Sequence, residues 1–436
     1  MAYVGLVVFV GLAVLTYVLS SSMSKSMVKK AETIIMHQAE SYANYTNGVF
    51  REISSVVKNT ADTLDNIFSA NAIEDVTLRR VQNVVEALAT SSKLTAYSFF
   101  YVIDAPQHLK ANPLFQTESG NTIILLFDDV ANGSAKEVQA NDSIVNFNSV
   151  KTAIREAKNG NKSGAILVGS PRERSFGGHT FVGLTLVSPV YGKDGKLVGV
   201  LGALLDFDTL RKDILDPSTY NFDGELRGLL YKDGTTALHS VNDRVLKRLQ
   251  DLLDKKESAN VIDAVNKNQT GLYEYISSSG QKAYSAIQAF KVEGTDSSWM
   301  MLISAPKSSV LNDLNALLYT FVSVSVIVLI AILVAVFFFI NKTVSSRLPT
   351  IVKALENLFR YINHEKIHIE PIKVKSQDEL GKIGIMINDN VKNTQKTLEK
   401  DSALVSQSLE VINHTREGYA DRRITLSGAN PQLNTL

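Results

Sequence analysis

The hydrophobic positions of this sequence form two long uncharged segments with shorter apolar runs between them. Residues 2–20 and residues 316–340 contain no charged side chain, and a helix needs about 20 apolar residues to cross a bilayer. A cleavable signal peptide is the alternative for the first segment, but it would have a shorter apolar core behind a basic stretch. We therefore predict a retained transmembrane helix at residues 2–20 and a second one at residues 316–340.

The region between these segments shows first a helical pattern and then strand patterns. Apolar residues from Ile53 to Ile67 recur at steps of four and three, which predicts one face of a long helix. Short β-branched and aromatic runs predict strands, and residues 192–195 between two of them predict a hairpin turn. Helical stretches such as residues 245–253 lie among the strands, so the predicted fold class is α+β with two modules. The predicted strands are residues 97–103, 122–127, 165–168, 181–190, 197–205, 226–231, 271–277, 283–290 and 299–304.

Charges beside the two apolar segments conflict over topology. Basic residues within 342–353 follow the second segment and Asp313 precedes it, which favours a cytoplasmic C-terminal side. Lysines within residues 25–30 follow the first segment and favour the opposite orientation. Either a basic leader has been lost from the N-terminus, or the second helix and the large translocated region dominate. We expect residues 30–312 to lie outside the cytoplasm.

Composition and charge exclude several classes of function. Lys and Arg number 45 against 44 Asp and Glu, and the net charge of +1 gives no global field for binding nucleic acid. The absence of cysteine excludes disulfides, thiolate metal sites and cysteine nucleophiles. We therefore predict no nucleic-acid partner.

One short motif points to a different class of protein. His364, Glu365 and His368 spell HExxH, which on a helix presents two zinc ligands and a general base. The alternating segment that follows contains Pro371, so we expect His368 to lie outside a helix, and no third ligand is evident. The other histidines are scattered singly. We predict no metal site, no cofactor and no enzymatic activity, with a membrane metalloprotease as a disfavoured alternative.

The order of elements resembles the double Cache (tandem PAS-like) sensor domain of bacterial chemoreceptors and sensor kinases. The resemblance covers residues 30–312 and rests on YSFFYVID, GKLVGVLG followed by DFDTL, and SSWMMLISAP. It implies a membrane-distal module at about residues 90–215 and a proximal module at about residues 220–305. In that family the distal module usually holds a small ligand.

The sequence departs from the amino-acid-binding subgroup of that family. The subgroup has an Arg-x-Trp-Tyr cluster and an Asp on the strand after the hairpin, whereas here Leu204 stands at the place of the Asp. The single tryptophan, Trp299, lies in the proximal module. A zwitterion needs opposed charges in its pocket, so an ordinary amino-acid ligand is not expected.

Other residues near the corresponding region form a candidate ligand site. An arginine fork suits a carboxylate, and aromatic walls exclude water from the pair. We therefore predict that the ligand is a small organic anion or related metabolite. The alternative is that the arginines are solvated in a Gly-rich loop and the aromatic residues belong to the core. The candidate residues are Tyr97, Phe99, Tyr101, Arg172, Arg174 and His179.

Two helical stripes after the second apolar segment resemble a HAMP relay domain at residues 341–395. The resemblance rests on Pro349 early in the first helix and on Asp378, Glu379, Leu380 and Gly381 opening the second. A HAMP coiled coil is a parallel four-helix bundle, so the resemblance implies a homodimer and allows higher receptor arrays. Residues 396–436 resemble an incomplete second HAMP segment.

These features together resemble a methyl-accepting chemotaxis protein. The prediction is a two-transmembrane-helix receptor of the cell inner membrane with a periplasmic sensor domain. No adaptor-binding helical hairpin follows, so we expect a shortened product of such a receptor. The sensor half of a histidine kinase or cyclase is the alternative, and the second HAMP-like segment favours the chemoreceptor.

Overall fold

The computed structural model describes residues 2–129, 134–160, 164–363 and 365–435. One compact unit is Val18–Leu318, and the other joins the residues up to Tyr17 with those from Tyr319 onward. The helices are α1 (Ala2–Ala70), α2 (Leu78–Ala89), α3 (Asn148–Lys158), α4 (Asp208–Ile214), α5 (Leu249–Leu252), α6 (Ala259–Asn266), α7 (Lys307–Val310), α8 (Asn312–Ile340), α9 (Leu348–Ile362) and α10 (Glu379–Arg416).

The first half of the larger unit contains a seven-stranded antiparallel sheet. Its order is β3-β2-β1-β7-β6-β4, and β5 also pairs with β6. The hairpin between β6 and β7 turns through Lys193–Gly195, where Gly195 has φ +70°, a conformation that favours glycine. The strands are β1 (Thr95–Val102), β2 (Thr122–Asp129), β3 (Ser134–Glu137), β4 (Leu167–Val168), β5 (Arg172–Phe176), β6 (His179–Tyr191) and β7 (Leu197–Asp206).

The second half contains a five-stranded antiparallel sheet with the order β10-β11-β12-β8-β9. Its central strand, β12, is buried from Trp299 to Pro306 and continues into α7 and α8. The strands are β8 (Leu226–Tyr231), β9 (Thr236–His239), β10 (Gly271–Ile276), β11 (Lys282–Lys291) and β12 (Ser298–Pro306).

The long helix α1 supports both sheets through one hydrophobic core. Its buried stripe from Ala31 to Phe68 belongs to the same cluster as Phe100 and Leu201 of the first sheet and Trp299 of the second. Burial of one large apolar side chain contributes about 1.5–3 kcal/mol, so the stripe as a whole holds the helix in place. The sequence prediction of a helix with one apolar face is confirmed for this segment.

Arg227 of β8 is a fully buried charge that joins three parts of the larger unit. Its Nε donates to Glu225 Oε1 at 2.7 Å, and neither side chain has any exposed surface. Its Nη1 donates to Tyr42 Oη of α1 and to Ile214 O of α4, both at 2.8 Å. Nη2 donates to Thr219 O at 2.7 Å. The guanidinium therefore links the long helix, the connection between the sheets and the second sheet.

The smaller unit contains α9, an extended connector and α10. The connector and the two helices share a small apolar core that includes Ile351, Ile369 and Ile387. Asp378 caps α10, because its Oδ1 accepts from Gly381 N at 2.8 Å while its Oδ2 pairs with Arg347 at 2.8 Å. A side-chain hydrogen bond from Ser376, together with those from Gly381 N and Arg347, lowers the pKa of Asp378.

Two of the described helical segments, Gly5–Ala70 and Asn312–Ile362, are long and apolar enough to cross a membrane by length and composition. The first includes residues 5–20 of the predicted segment 2–20, and the second includes the whole of the predicted segment 316–340. The prediction of a mixed helix and sheet protein with two apolar helices is confirmed at this level.

Candidate functional site

The candidate site lies on one face of the seven-stranded sheet, where aromatic side chains of several strands meet. The Tyr97 ring is 5.1 Å from Phe127, 5.4 Å from Phe176 and 5.8 Å from Phe181. Phe147, which precedes α3, joins the group 6.4 Å from Phe176. We call these five residues the aromatic cluster. Tyr97 is 2% exposed and its hydroxyl donates to Phe176 O at 2.7 Å.

Arg174 enters the aromatic cluster from β5 as a half-buried cation. Its guanidinium carbon lies 4.1 Å from the centre of the Phe147 ring. Its Nε is buried and has no hydrogen-bond partner among the described residues. Burial, aided by the neighbouring charge of Arg172, lowers the pKa of Arg174 to about 10. The side chain is still charged at neutral pH, and a desolvated cation with a free donor is stabilised by an anion.

His179 and Asp206 supply two more polar groups on the same face. His179 stacks on Phe181 at 5.1 Å, and its Nε2 is 3.8 Å from Asp206 Oδ2. His179 Nδ1 is buried without a hydrogen-bond partner among the described residues. Burial raises the pKa of Asp206, and the nearby charge of Asp208 raises it further. The site thus combines a cation, a carboxylate and an imidazole between aromatic rings.

Asp206 was not among the residues predicted from the sequence, where the resemblance pointed to Leu204 instead. Leu204 is fully buried in the core of this face. Side chains two residues apart on a strand point to the same face, so Asp206 follows Leu204 on the site side of β7. The sequence signal for Asp206 was a carboxylate two residues after Leu204, because strand alternation places these two positions on the same face.

The structure brings Tyr97, Arg174 and His179 together, and the other candidates lie around them. Phe99 is fully buried and contacts Phe147 edge-on at 6.4 Å. Tyr101 lies towards the other end of β1, and its hydroxyl donates to Asn121 Oδ1 at 3.2 Å. Arg172 is exposed, with Nε 3.4 Å from Ser170 Oγ. Both arginines lie on a strand, β5, and only the turn at residues 177–178 is glycine-rich.

The HExxH segment does not form a helical metal site in the described residues. Helix α9 ends at Ile362, His364 lies outside the described residues, and His368 is exposed in the extended connector. Glu365 instead pairs with Arg360 at 2.7 Å. The described residues contain no group of three or more His, Cys, Asp or Glu that could hold a metal ion.

Asp206 gives the site a pH dependence with a defined sign. Because its folded pKa is raised above the ordinary value of 3.8, ionisation opposes folding, and stability falls as the pH rises through the folded pKa. We expect Asp206→Asn to have a higher Tm than the parent at pH 7 and no advantage at pH 3. The fluorescence of Trp299, the single tryptophan, reports the melting of this unit.

Glu173→Gln is the control for this prediction, because Glu173 is an exposed carboxylate on β5. We expect its Tm to follow that of the parent at every pH. A lower Tm of Asp206→Asn at pH 7 would contradict the prediction and would show that the attraction of the Asp206 charge to His179 and Lys212 outweighs the desolvation.

Solved structures of sensory domains share this fold. The chain is 32% identical to the periplasmic sensory domain of the Campylobacter jejuni chemoreceptor Tlp1, with a TM-score of 0.62, over 65% of this chain and 98% of that one. A methyl-accepting chemotaxis protein X is 14% identical with a TM-score of 0.50, over 64% of this chain and 99% of that one. The extracellular domain of a protein described as a histidine kinase has the same identity and TM-score, over 67% and 99%.

The last two likenesses show the fold alone. No family model matches the sequence, and no curated protein matches it. The first likeness goes further, because its identity of 32% extends over 98% of the Campylobacter domain. The chain therefore belongs to the family of chemoreceptor periplasmic sensory domains.

Proposed function

We propose that this protein is a transmembrane chemoreceptor of the cell inner membrane whose periplasmic domain binds a small organic anion at Arg174. The observation that carries the proposal is the buried Arg174 Nε, which has no hydrogen-bond partner among the described residues. Holding a desolvated donor without a partner costs free energy, and a carboxylate would relieve that cost on binding.

The neighbouring side chains support the same class of ligand. Phe147 already stacks on the guanidinium at 4.1 Å, so a bound carboxylate would be shielded from water on that side. The rings of Tyr97, Phe176 and Phe181 are 2%, 4% and 4% exposed, so they form an apolar wall beside the guanidinium that excludes water. These surroundings favour a compact carboxylate.

Asp206 distinguishes a simple anion from a ligand that also carries an amine. Its carboxylate would repel a simple anion and attract an ammonium group, because opposite charges favour each other most strongly in a desolvated site. We expect Asp206→Asn to bind a simple anion more tightly than the parent. Weaker binding in the same variant would show instead that the ligand is a zwitterion.

A thermal-shift screen of the full chain tests the proposal. The probes are acetate, lactate, succinate and benzoate, with alanine and putrescine as ligands of other charge, and the readout is Trp299 fluorescence. A ligand of the native state at 100 times its Kd contributes about 2.7 kcal/mol, so it raises the Tm. A rise in Tm with acetate, lactate, succinate or benzoate supports the proposal. A rise with alanine or putrescine alone, or no rise with any probe, contradicts it.

The smaller unit would relay the signal as a homodimer, and receptor arrays belong to the same proposal. The HAMP residues Pro349, Asp378, Glu379 and Gly381 support it, since Pro349 lies in the first turn of α9 and the other three form the capped start of α10. A side chain at Gly381 would place its Cβ 1.8 Å from Ser376 O, so the connector needs glycine there.

We expect α10 to pair with α10 of a second copy. An apolar stripe on α10 is exposed to solvent in the single chain. Its residues follow one another at steps of four and three and are 41%, 55% and 56% exposed: Val405, Leu409 and Ile412. Since the chain has no cysteine, Leu409→Cys and Ile412→Cys should each give a disulfide-linked dimer in membranes. Ala403→Cys, at an exposed position on the opposite side of the helix, should not. Equal cross-linking at all three positions would contradict a specific dimer.

The sensor half of a histidine kinase or cyclase is a second candidate. The same fold occurs in the extracellular domain of a protein described as a histidine kinase, so the fold is compatible with this candidate. The two candidates differ in their output. The test is a fusion of residues 1–416 to the signalling hairpin of a chemoreceptor. If the relay is that of a chemoreceptor, adding a ligand should change the swimming behaviour of cells that carry the fusion. If it is not, swimming should stay unchanged.

A further inference from the structure

Hydrogen bonds join β4 of the first sheet and the residue before it to the turn before β12 of the second sheet. Ile166 N donates to Gly294 O at 2.9 Å, and Val168 N donates to Asp296 Oδ1 at 2.9 Å. Ile166 also forms an isolated parallel bridge with Thr295. We call residues 166–168 and 294–296 the inter-sheet bridge. Its hydrogen bonds come from backbone groups and one carboxylate, so they add a polar link to the apolar core that α1 forms with both sheets.

One end of the inter-sheet bridge is tied to the ligand site. Strands β4 and β5 both pair with β6, at Val168 with Leu186 and at Arg174 with Phe181. The link between them is short and tightly packed, because a Cβ at Gly169 would lie 2.3 Å from Thr185 Oγ1. We therefore expect a shift of β5 that follows a change at Arg174 to displace β4 as well, because the tightly packed link between the two strands cannot absorb it.

The other end is tied to the strand that leads to the second apolar helix. Asp296 stands two residues before β12, which continues through α7 into α8. Tyr231 Oη donates to Val168 O at 3.4 Å, and the Tyr231 ring packs against Trp299 at 5.0 Å. Trp299 also contacts Phe50 of α1 at 5.0 Å. The bridge thus ends at the start of β12, beside the helix that runs back to the N-terminus.

We propose that Asp296 is a positioning residue that transmits a change at Arg174 to the start of β12. The inference rests on the proposed function and names the route by which that site is coupled to the second sheet. Coupling requires that a contact differ between two states of the protein. The hydrogen bond from Val168 N to Asp296 Oδ1 is the contact we assign to this role, because the Asp296 side chain is exposed and can be replaced without opening the core.

Hydrogen exchange of the full chain in nanodiscs tests the route without any ligand. Arg174→Met perturbs the site. In an otherwise unchanged chain, we expect it to change the rate of amide hydrogen exchange at residues 294–300 by about threefold or more. In the Asp296→Ala background, exchange at residues 172–183 should still respond fully, whereas the response at residues 294–300 should be much smaller, because only the backbone bonds of the bridge remain. Asp296→Asn keeps the acceptor oxygen and should restore the response. Glu293→Ala, an exposed change in the same turn, should leave the response intact.

Two results would overturn the inference. One is no response at residues 294–300 in the parent background, and the other is an equal response with Asp296→Ala. Failure of the proposed function is separate from both, since it would appear as the absence of any carboxylate-induced rise in Tm in the parent chain while the exchange results stand.

Discussion

Replacing Arg227 by alanine is expected to lower the free energy of unfolding of the larger unit by about 3–5 kcal/mol. The substitution leaves the carboxylate of Glu225 buried without its partner, and that residue is 2% exposed. It also removes donors to Tyr42, Ile214 and Thr219. Trp299 fluorescence should show a Tm lower by roughly 6–10 °C, given about 2 °C for each kcal/mol in a unit as large as Val18–Leu318.

Two variants separate the buried pair from a general effect of losing an arginine. Arg79→Ala removes an exposed arginine of α2 and should change stability by less than about 0.5 kcal/mol. The double variant Glu225→Leu with Arg227→Met removes both charges and should recover part of the loss. If Arg227→Ala melted within about 2 °C of the parent, the shift for a loss of about 1 kcal/mol, the buried network would not stabilise this unit.

Replacing Arg174 by methionine is expected to weaken binding of a carboxylate ligand by about 10- to 150-fold. Hydrogen bonds to a charged group contribute about 1.5–3 kcal/mol, and this range corresponds to that change in Kd. The same variant should raise the Tm of the unligated protein, because methionine fills much of the space without a desolvated charge. Loss of affinity together with gain of stability is the signature of a residue kept for binding.

Arg172→Met and Arg155→Met are the matched controls for the Arg174 prediction. Arg172 is exposed on the same strand and Arg155 is exposed on α3, so each should change the affinity by less than about threefold. Isothermal titration with the best carboxylate of the screen measures all three variants. Unchanged affinity in Arg174→Met would remove this residue from the binding site.

The sequence predicted most strands of both sheets nearly as the structure has them, but it missed β3, β5 and β9 and misjudged one helix. Strong alternation of apolar and aromatic residues gave β1, β2, β6 and β7 nearly as the structure has them. The predicted helix at residues 245–253 is a single turn, Leu249–Leu252. The chain before it instead continues the antiparallel pairing, since Thr236 N bonds to Lys247 O. Such pairing is tertiary, so local propensity cannot reveal it.

The candidate site was predictable in its types of residue but not in its arrangement. Charge and aromatic content singled out Arg174, His179 and Tyr97, whose positions on one face follow from strand alternation. The difference between Arg172 and Arg174 depends on Phe147, which comes from a separate segment and covers only the second guanidinium. Asp206 was missed because the resemblance directed attention to Leu204.

The single core shared by α1 and both sheets has a consequence for synthesis. Phe50 is made early, while its ring partner Trp299 follows roughly 250 positions later, which is roughly 12–50 s at about 5–20 residues per second. During that time the apolar stripe of α1 has no second sheet to cover it. We therefore expect the nascent protein to depend on chaperones outside the cytoplasm, and a truncation before β12 to aggregate rather than to fold as a smaller domain.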